Sequence, residues 1–124
     1  MTLRASDKGK RGPLPGRKVR GSSTGRPVMA ALDLLGRRWT LRVLWELHGE
    51  EGITFRALQE RCDGVSPTSL NLRLAELREA GIVEHLEAAG YRFTAMGRAL
   101  FESLRPLAAW SERWARELKM STRS

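Results

Sequence analysis

The sequence predicts a mainly α-helical domain with a small β-hairpin, in the order helix, helix, helix, helix, hairpin, helix. Three observations lead there. Glycines at positions 36, 49, 64 and 81 punctuate runs of helical periodicity, where a left-handed residue closes a helix without a Cβ clash. Ser66-Pro67 is a strong helix start, because serine caps free backbone N–H groups and proline at the first helical position lacks one. After Gly81 the pattern turns strand-like: Ile82, Val83, His85 and Leu86, then Ala89-Gly90, then Tyr91, Arg92 and Phe93.

The elements follow in order. A first helix is expected from Pro27 or Val28 to about Leu35, with Val28, Ala31, Leu32 and Leu35 as its apolar face. A second runs from about Arg38 to His48, with Trp39, Val43, Leu44 and Leu47 inward and Arg42 paired to Glu46 outside. The third, about Phe55 to Cys62, starts after Thr54 as N-cap and turns Phe55 and Leu58 inward. The fourth extends from Ser66 to about Ala80. The last begins after Thr94, runs to about Lys119, and aligns Leu100, Leu104, Leu107, Trp110, Trp114 and Leu118 on one side, with a bend expected at Pro106.

With 124 residues, the chain has room for one such domain and not for a second catalytic one. Its expected organisation is a disordered basic arm over residues 1–26, the folded domain over 27–119, and a flexible tail over 120–124. The arm is rich in Gly, Pro and Ser and poor in large apolar groups, too poor to offset the entropy of ordering. It holds eight basic residues against Asp7 alone, a balance of +7 that leaves +1 for the remaining residues. Such an arm beside a nearly neutral domain suits a polyanion, nucleic acid before membrane since no apolar stripe interleaves the charges; a solvated leader that binds nothing is the bland alternative.

Cys62 is the only cysteine, so neither an intramolecular disulfide nor a cysteine metal cluster is available, and a reducing cytoplasm is the natural compartment. Its simplest role is that of a small buried hydrophobe. No apolar h-region opens the chain and no apolar run approaches bilayer length, so a soluble, non-secreted protein is expected. His48 and His85 have neither metal-ligand nor triad spacing, and the clustered acids sit beside basic residues. No metal, cofactor or enzymatic activity is expected.

The element order, with a turn before a well-capped fourth helix, is that of a winged helix-turn-helix. The stretch Ala31-Leu32-Asp33-Leu34-Leu35-Gly36-Arg37-Arg38-Trp39-Thr40 resembles a signature of the HxlR-type regulators, relatives of the MarR-like group. Gly64-Val65-Ser66-Pro67 with Leu70, Arg73-Leu74, Leu77 and Gly81-Ile82-Val83 is similar to that family's recognition-helix segment. Tyr91, Thr94, Gly97, Leu100 and Trp110 match its wing and last helix. The resemblance spans roughly residues 26 to 114 and implies a bacterial-type, homodimeric regulator that binds double-stranded DNA, with the fourth helix in the major groove. Two departures stand out: Arg26 occupies the place of a redox-active cysteine that many members carry before the proline of the first helix, and the hairpin tip, Glu87 to Gly90, is short.

On a helical wheel Leu74 and Leu77 lie within about 40° of Leu70, and the three face the core. The opposite face holds Thr68, Leu72 and Ala75, with Ser69 and Asn71 at its edges, and the candidates for base contact are Thr68, Ser69, Asn71 and Leu72 together with Ser66 at the start of the helix. Asn71 can bond bidentately to adenine, the hydroxyls can donate or accept, and Leu72 can touch a thymine methyl. Candidates for the DNA backbone are Arg56, Arg73 and Arg92 in the domain and Arg17, Lys18 and Arg20 in the arm. The last helix carries more apolar surface than so small a domain covers, so Val28, Leu32, Leu107, Trp110, Trp114 and Leu118 are the candidate homodimer contacts, unless both tryptophans pack within one chain. A winged-helix protein-interaction module with only non-specific nucleic-acid binding is the alternative reading. No small-molecule effector is specified by the sequence.

Overall fold

The computed structural model describes residues 12–123, with side chains through Met120. Its elements are α1 (Pro27–Leu35), α2 (Thr40–Leu47), α3 (Phe55–Arg61), α4 (Pro67–Glu79), β1 (Val83–Leu86), β2 (Gly90–Phe93) and α5 (Ala95–Arg123). This is the mainly helical, hairpin-bearing architecture with a long C-terminal helix that the pattern implies. Among the described residues no helix is long and apolar enough to cross a membrane.

Side-chain caps explain where three helices begin. Thr54 Oγ1 accepts from the Ala57 N–H at 3.1 Å, Ser66 Oγ from Ser69 at 3.1 Å, and Thr94 Oγ1 from Gly97 at 3.0 Å. Thr94 also donates to the Gly81 carbonyl, so the start of α5 is fastened to the turn that ends α4. Gly97 permits this closeness: a Cβ there would stand 2.0 Å from the Ile82 carbonyl oxygen.

Two local expectations are corrected. Gly36 closes α1 in the right-handed region at φ −79°, and the left-handed residue of that turn is Trp39, at φ 76°. Helix α2 therefore starts at Thr40, two residues later than periodicity suggests. Trp39 holds this conformation, which costs about 1 kcal/mol, with its ring against the buried cluster. Of the apolar stripe of α1 only Leu35 packs against the core. Ala30 and Leu34 are buried, while Val28, Ala31 and Leu32 face solvent in the isolated protomer.

The hairpin pairs Val83 with Phe93, Glu84 with Arg92, His85 with Tyr91 and Leu86 with Gly90. Ile53 adds a one-residue antiparallel bridge to β2, exchanging N–H···O bonds of 2.9 and 2.8 Å with Tyr91. A single residue between Gly52 and Thr54 is too short for any alternation to announce it. Gly90, at φ 90°, is needed here because a Cβ would lie 2.4 Å from the Ile53 oxygen. The core gathers Val43, Leu44 and Leu47 of α2, Leu58 of α3 with Cys62, and Leu70, Leu74 and Leu77 of α4, closed by Val83, Phe93 and Phe101.

The arm expected to be disordered is folded where it is described. Gly16 donates to the Gly25 carbonyl at 2.9 Å, Val19 and Ser22 bond to each other, and Val19 is buried. Prolines and the apolar Leu14 supply the missing burial, since Pro13, Leu14 and Pro15 line an apolar cleft with Leu34, Ile82 and Leu100. Residues 1–11 of that expectation lie outside the described residues. At the other end, the helix expected to stop near Lys119 continues to Arg123, because no glycine or proline follows Pro106 to end it.

Replacing Ser66 with Ala removes the cap of α4 and is expected to lower stability by about 1 kcal/mol. Urea denaturation measures it, with Ser66→Asp, which can accept the same bond from the Ser69 N–H, losing little.

Candidate nucleic-acid interface

Helix α4 is divided lengthwise. Leu70, Leu74 and Leu77 are fully buried, whereas Thr68, Asn71 and Ala75 are exposed and Ser69 and Leu72 half-buried. Ser66 is exposed, with its oxygen accepting the cap bond and its hydroxyl proton still available. Thr68, Asn71, Leu72 and Ala75 share an open concavity of about 660 Å3 with Arg78 and Tyr91. Sequence reasoning did not select Arg78, although its spacing of three and seven residues from Ala75 and Asn71 places it on the same face.

The candidate cations fall into two groups. Arg56 is 90% exposed, and its contact with Glu60 is loose at 3.8 Å. Lys18 and Arg20 are likewise exposed, although the Arg20 backbone N–H donates to Asp33 Oδ2. The others hold carboxylates: Arg92 with Glu84 at 3.0 Å, Arg17 with Glu79 at 3.1 Å, and Arg73 with Glu76 at 3.1 Å. The Arg73 side chain is only 14% exposed.

Glu76 is buried on α4 and is held from two sides. Its Oε2 accepts from Arg37 Nη1 at 3.0 Å, and its Oε1 faces Arg73 in an ion-pair contact without hydrogen-bond alignment. Arg37 in turn reaches Asp33 at 3.5 Å, which links α1 to α4. A buried carboxylate of this kind is tolerable only with such partners. Alternating charge on the α4 sequence gives no sign that this glutamate, rather than its neighbour Glu79, is the one inside.

The six apolar candidates for contact between copies are all exposed: Val28 63%, Leu32 56%, Leu107 56%, Trp110 46%, Trp114 51% and Leu118 51%. Trp110 and Trp114 stack on each other at a centroid distance of 5.2 Å and an interplanar angle of 16°, half in solvent. Cys62 is fully buried, and burial pushes its thiol above the ordinary range, with the nearby Glu46 adding to the effect and Arg42 opposing it. His48 stacks on Phe101 and His85 on Tyr91, at centroid distances of 4.7 and 4.3 Å.

Comparison with known proteins gives a consistent picture. Residues 34–119 match the family model described as HxlR-like helix-turn-helix. The chain is 32% identical over 103 residues to Rv3095 of Mycobacterium tuberculosis, named an uncharacterized HTH-type transcriptional regulator, covering 78% of this chain and 61% of that protein. It therefore spans about three fifths of the length of this mycobacterial relative. YdzF of Bacillus subtilis, also named an HTH-type transcriptional regulator, is 24% identical over 90 residues, covering 68% of this chain and 83% of that one. Among solved structures, quinone-bound YodB from B. subtilis superposes with a TM-score of 0.63 at 30% identity, over 69% of this chain and 94% of that one. A possible HxlR family transcriptional factor from Thermoplasma volcanium gives a TM-score of 0.62 at 28% identity, over 73% and 85% of the two chains.

The state of Cys62 has a measurable consequence. Because the folded pKa is raised, the unfolded chain loses the thiol proton first, and stability falls as pH rises through and beyond the ordinary value of 9.0. Relative to Cys62→Ala, the wild-type chain is expected to lose up to about 1.4 kcal/mol per pH unit there. Urea denaturation at stepped pH measures the difference.

Proposed function

The chain belongs to the HxlR-like helix-turn-helix family, whose members are non-enzymatic regulators, and from that premise we propose that it is a sequence-specific DNA-binding transcriptional regulator. It acts in the cytoplasm as a homodimer on a pseudo-palindromic operator. One observation carries this reading: α4 buries Leu70, Leu74 and Leu77 completely while Thr68 and Asn71, in its N-terminal half, stand in solvent. That half of a recognition helix is the part that meets base edges.

In the proposed complex Asn71 bonds to adenine, Ser66, Thr68 and Ser69 offer hydroxyls to base edges, and Leu72 meets a thymine methyl. Arg56, Lys18 and Arg20 face phosphate directly. Arg17, Arg73 and Arg92 hold carboxylates, so each reaches phosphate only by exchanging Glu79, Glu76 or Glu84 for it. The wing is short, and Arg92 is its basic residue.

Two copies join through α1 and α5, where the exposed Val28, Leu32, Leu107, Trp110, Trp114 and Leu118 form a surface too apolar to leave in water. A two-fold axis there presents two α4 helices to successive major-groove faces, about 34–36 Å apart.

Anisotropy titration with the duplex upstream of its own gene tests the reading, with a scrambled duplex as reference. The wild-type chain is expected to prefer the genuine sequence by about a thousandfold or more at physiological salt. Asn71→Ala should reduce that preference by about 1–3 kcal/mol, and Arg56→Ala should weaken both duplexes alike and lower the salt slope by about one unit. Equal affinity for both duplexes would favour the protein-interaction module instead. Sedimentation should find a dimer for the wild type and a monomer for Trp110→Asp, Trp114→Asp.

A further inference from the structure

Residues 12–26 grip the far end of the candidate recognition helix. The Gly12 N–H donates to Glu79 Oε1 at 3.0 Å, and Arg17 Nη2 donates to Glu79 Oε2 at 3.2 Å. Arg17 Nη1 also donates to the Gly12 carbonyl at 3.0 Å, so that the two contacts brace each other. Both oxygens of Glu79 are engaged by this segment. The approach is close: a Cβ on Gly12 would lie 3.1 Å from Cβ and Cγ of Glu76.

The same segment is tied to α1. The Arg20 N–H donates to Asp33 Oδ2 at 3.1 Å, and the loop between is closed by the Gly16 to Gly25 bond and the Val19–Ser22 pair. Its chain then runs directly into Pro27, the first residue of α1. Gly25 sits at φ 75° with its would-be Cβ 2.3 Å from the Arg17 carbonyl oxygen, so the loop folds back tightly on itself. Beneath it runs the second link between the same two helices, Asp33 to Arg37 to the buried Glu76.

These ties join the helix proposed to read DNA to the helix proposed to meet the second copy. In a two-fold dimer the angle between α1 and α4 sets the separation and tilt at which the two reading helices are presented. The buried leucines fix which side of α4 faces outward, but a tilt of a few degrees against α1 leaves them covered while its exposed N-terminal half swings.

We propose that residues 12–26 form a strap, with Arg17 and Glu79 as positioning residues, that holds α4 at a fixed angle to α1 and so determines which half-site spacing the dimer accepts. This rests on the reading of the chain as a dimeric DNA-binding regulator. It also reassigns Arg17, whose charge serves Glu79 and the Gly12 carbonyl rather than a phosphate.

Two substitutions in the full chain, Arg17→Ala and Glu79→Gln, separate the roles because the rival reading predicts opposite signs for them. If Arg17 grips phosphate, removing its carboxylate partner strengthens DNA binding and steepens the salt slope. If it is a strap, both variants behave alike. Selection from a random-sequence duplex pool first supplies the half-site and the spacing that the wild-type chain prefers. Titrations then use duplexes with that half-site at spacings changed by single base pairs.

The strap predicts that both variants keep the half-site preference but lose about fivefold at the wild-type spacing, and less at neighbouring spacings, with the double variant no worse than either single. Tighter binding by Glu79→Gln, or a loss equal at all spacings, overturns the proposal. Amide exchange on the unbound proteins gives a reading independent of DNA: faster exchange over residues 12–25 is expected in both variants, and unchanged exchange overturns the strap. A wild-type chain that enriches no sequence overturns the DNA reading and the spacing role together, whereas a wild-type chain that enriches one while its variants keep its spacing preference overturns the strap alone.

Discussion

Burial of Leu70, Leu74 and Leu77 along one side of α4 is the constraint from which the rest of this molecule follows. A helix anchored by three fully buried leucines cannot rotate without exposing them, at roughly 1.5–3 kcal/mol for each side chain. Its other side is thereby held outward, and the N-terminal half of that side carries small polar groups, Thr68 and Asn71, with the long charged Arg78 only at its far end. The Ser66 cap starts the helix sharply, so these side chains stand within its first turn and a half. The Thr94 hydroxyl and the Ile53 bridge then fix the hairpin and α5 around the same core.

Charge is distributed in a way that composition conceals. A formal +8 suggests a protein covered in available cations, yet Arg17, Arg37, Arg42, Arg61, Arg73 and Arg92 each hold a carboxylate. The most consequential of these carboxylates is buried. Glu76 lies at the junction of α1 and α4, and two arginines offset the cost of desolvating it. Electrostatics here joins elements, and which cations stay open to a polyanion depends on which carboxylates the fold brings near them.

Most of the fold was legible because local signals agreed with one another. Ser66-Pro67, Thr54 and Thr94 are capping residues whose effect needs no tertiary context, and the leucine spacing of α4 fixed its inner face. Legibility failed where the deciding interaction is between residues distant in sequence. Ile53 pairs across the chain with Tyr91, Trp39 takes a left-handed turn that a glycine was expected to supply, and Gly12 and Arg17 meet Glu79 more than sixty residues away. The N-terminal stretch looked disordered because prolines and glycines count against a core in composition. Over residues 12–26 they form a compact loop whose few apolar groups are enough. For the candidate interface, the polar face of α4 could be read from the wheel, whereas which arginines are engaged could not, since that depends on which carboxylates the fold brings near.

Methylation interference on a duplex bound by the wild-type chain tests the central claim most directly, because it reports which groove the protein enters. The account predicts that methyl groups on guanine N7, in the major groove, block binding in two clusters about one helical turn apart, and that methyl groups on adenine N3, in the minor groove, do not. Binding that tolerates every major-groove methyl group would contradict it.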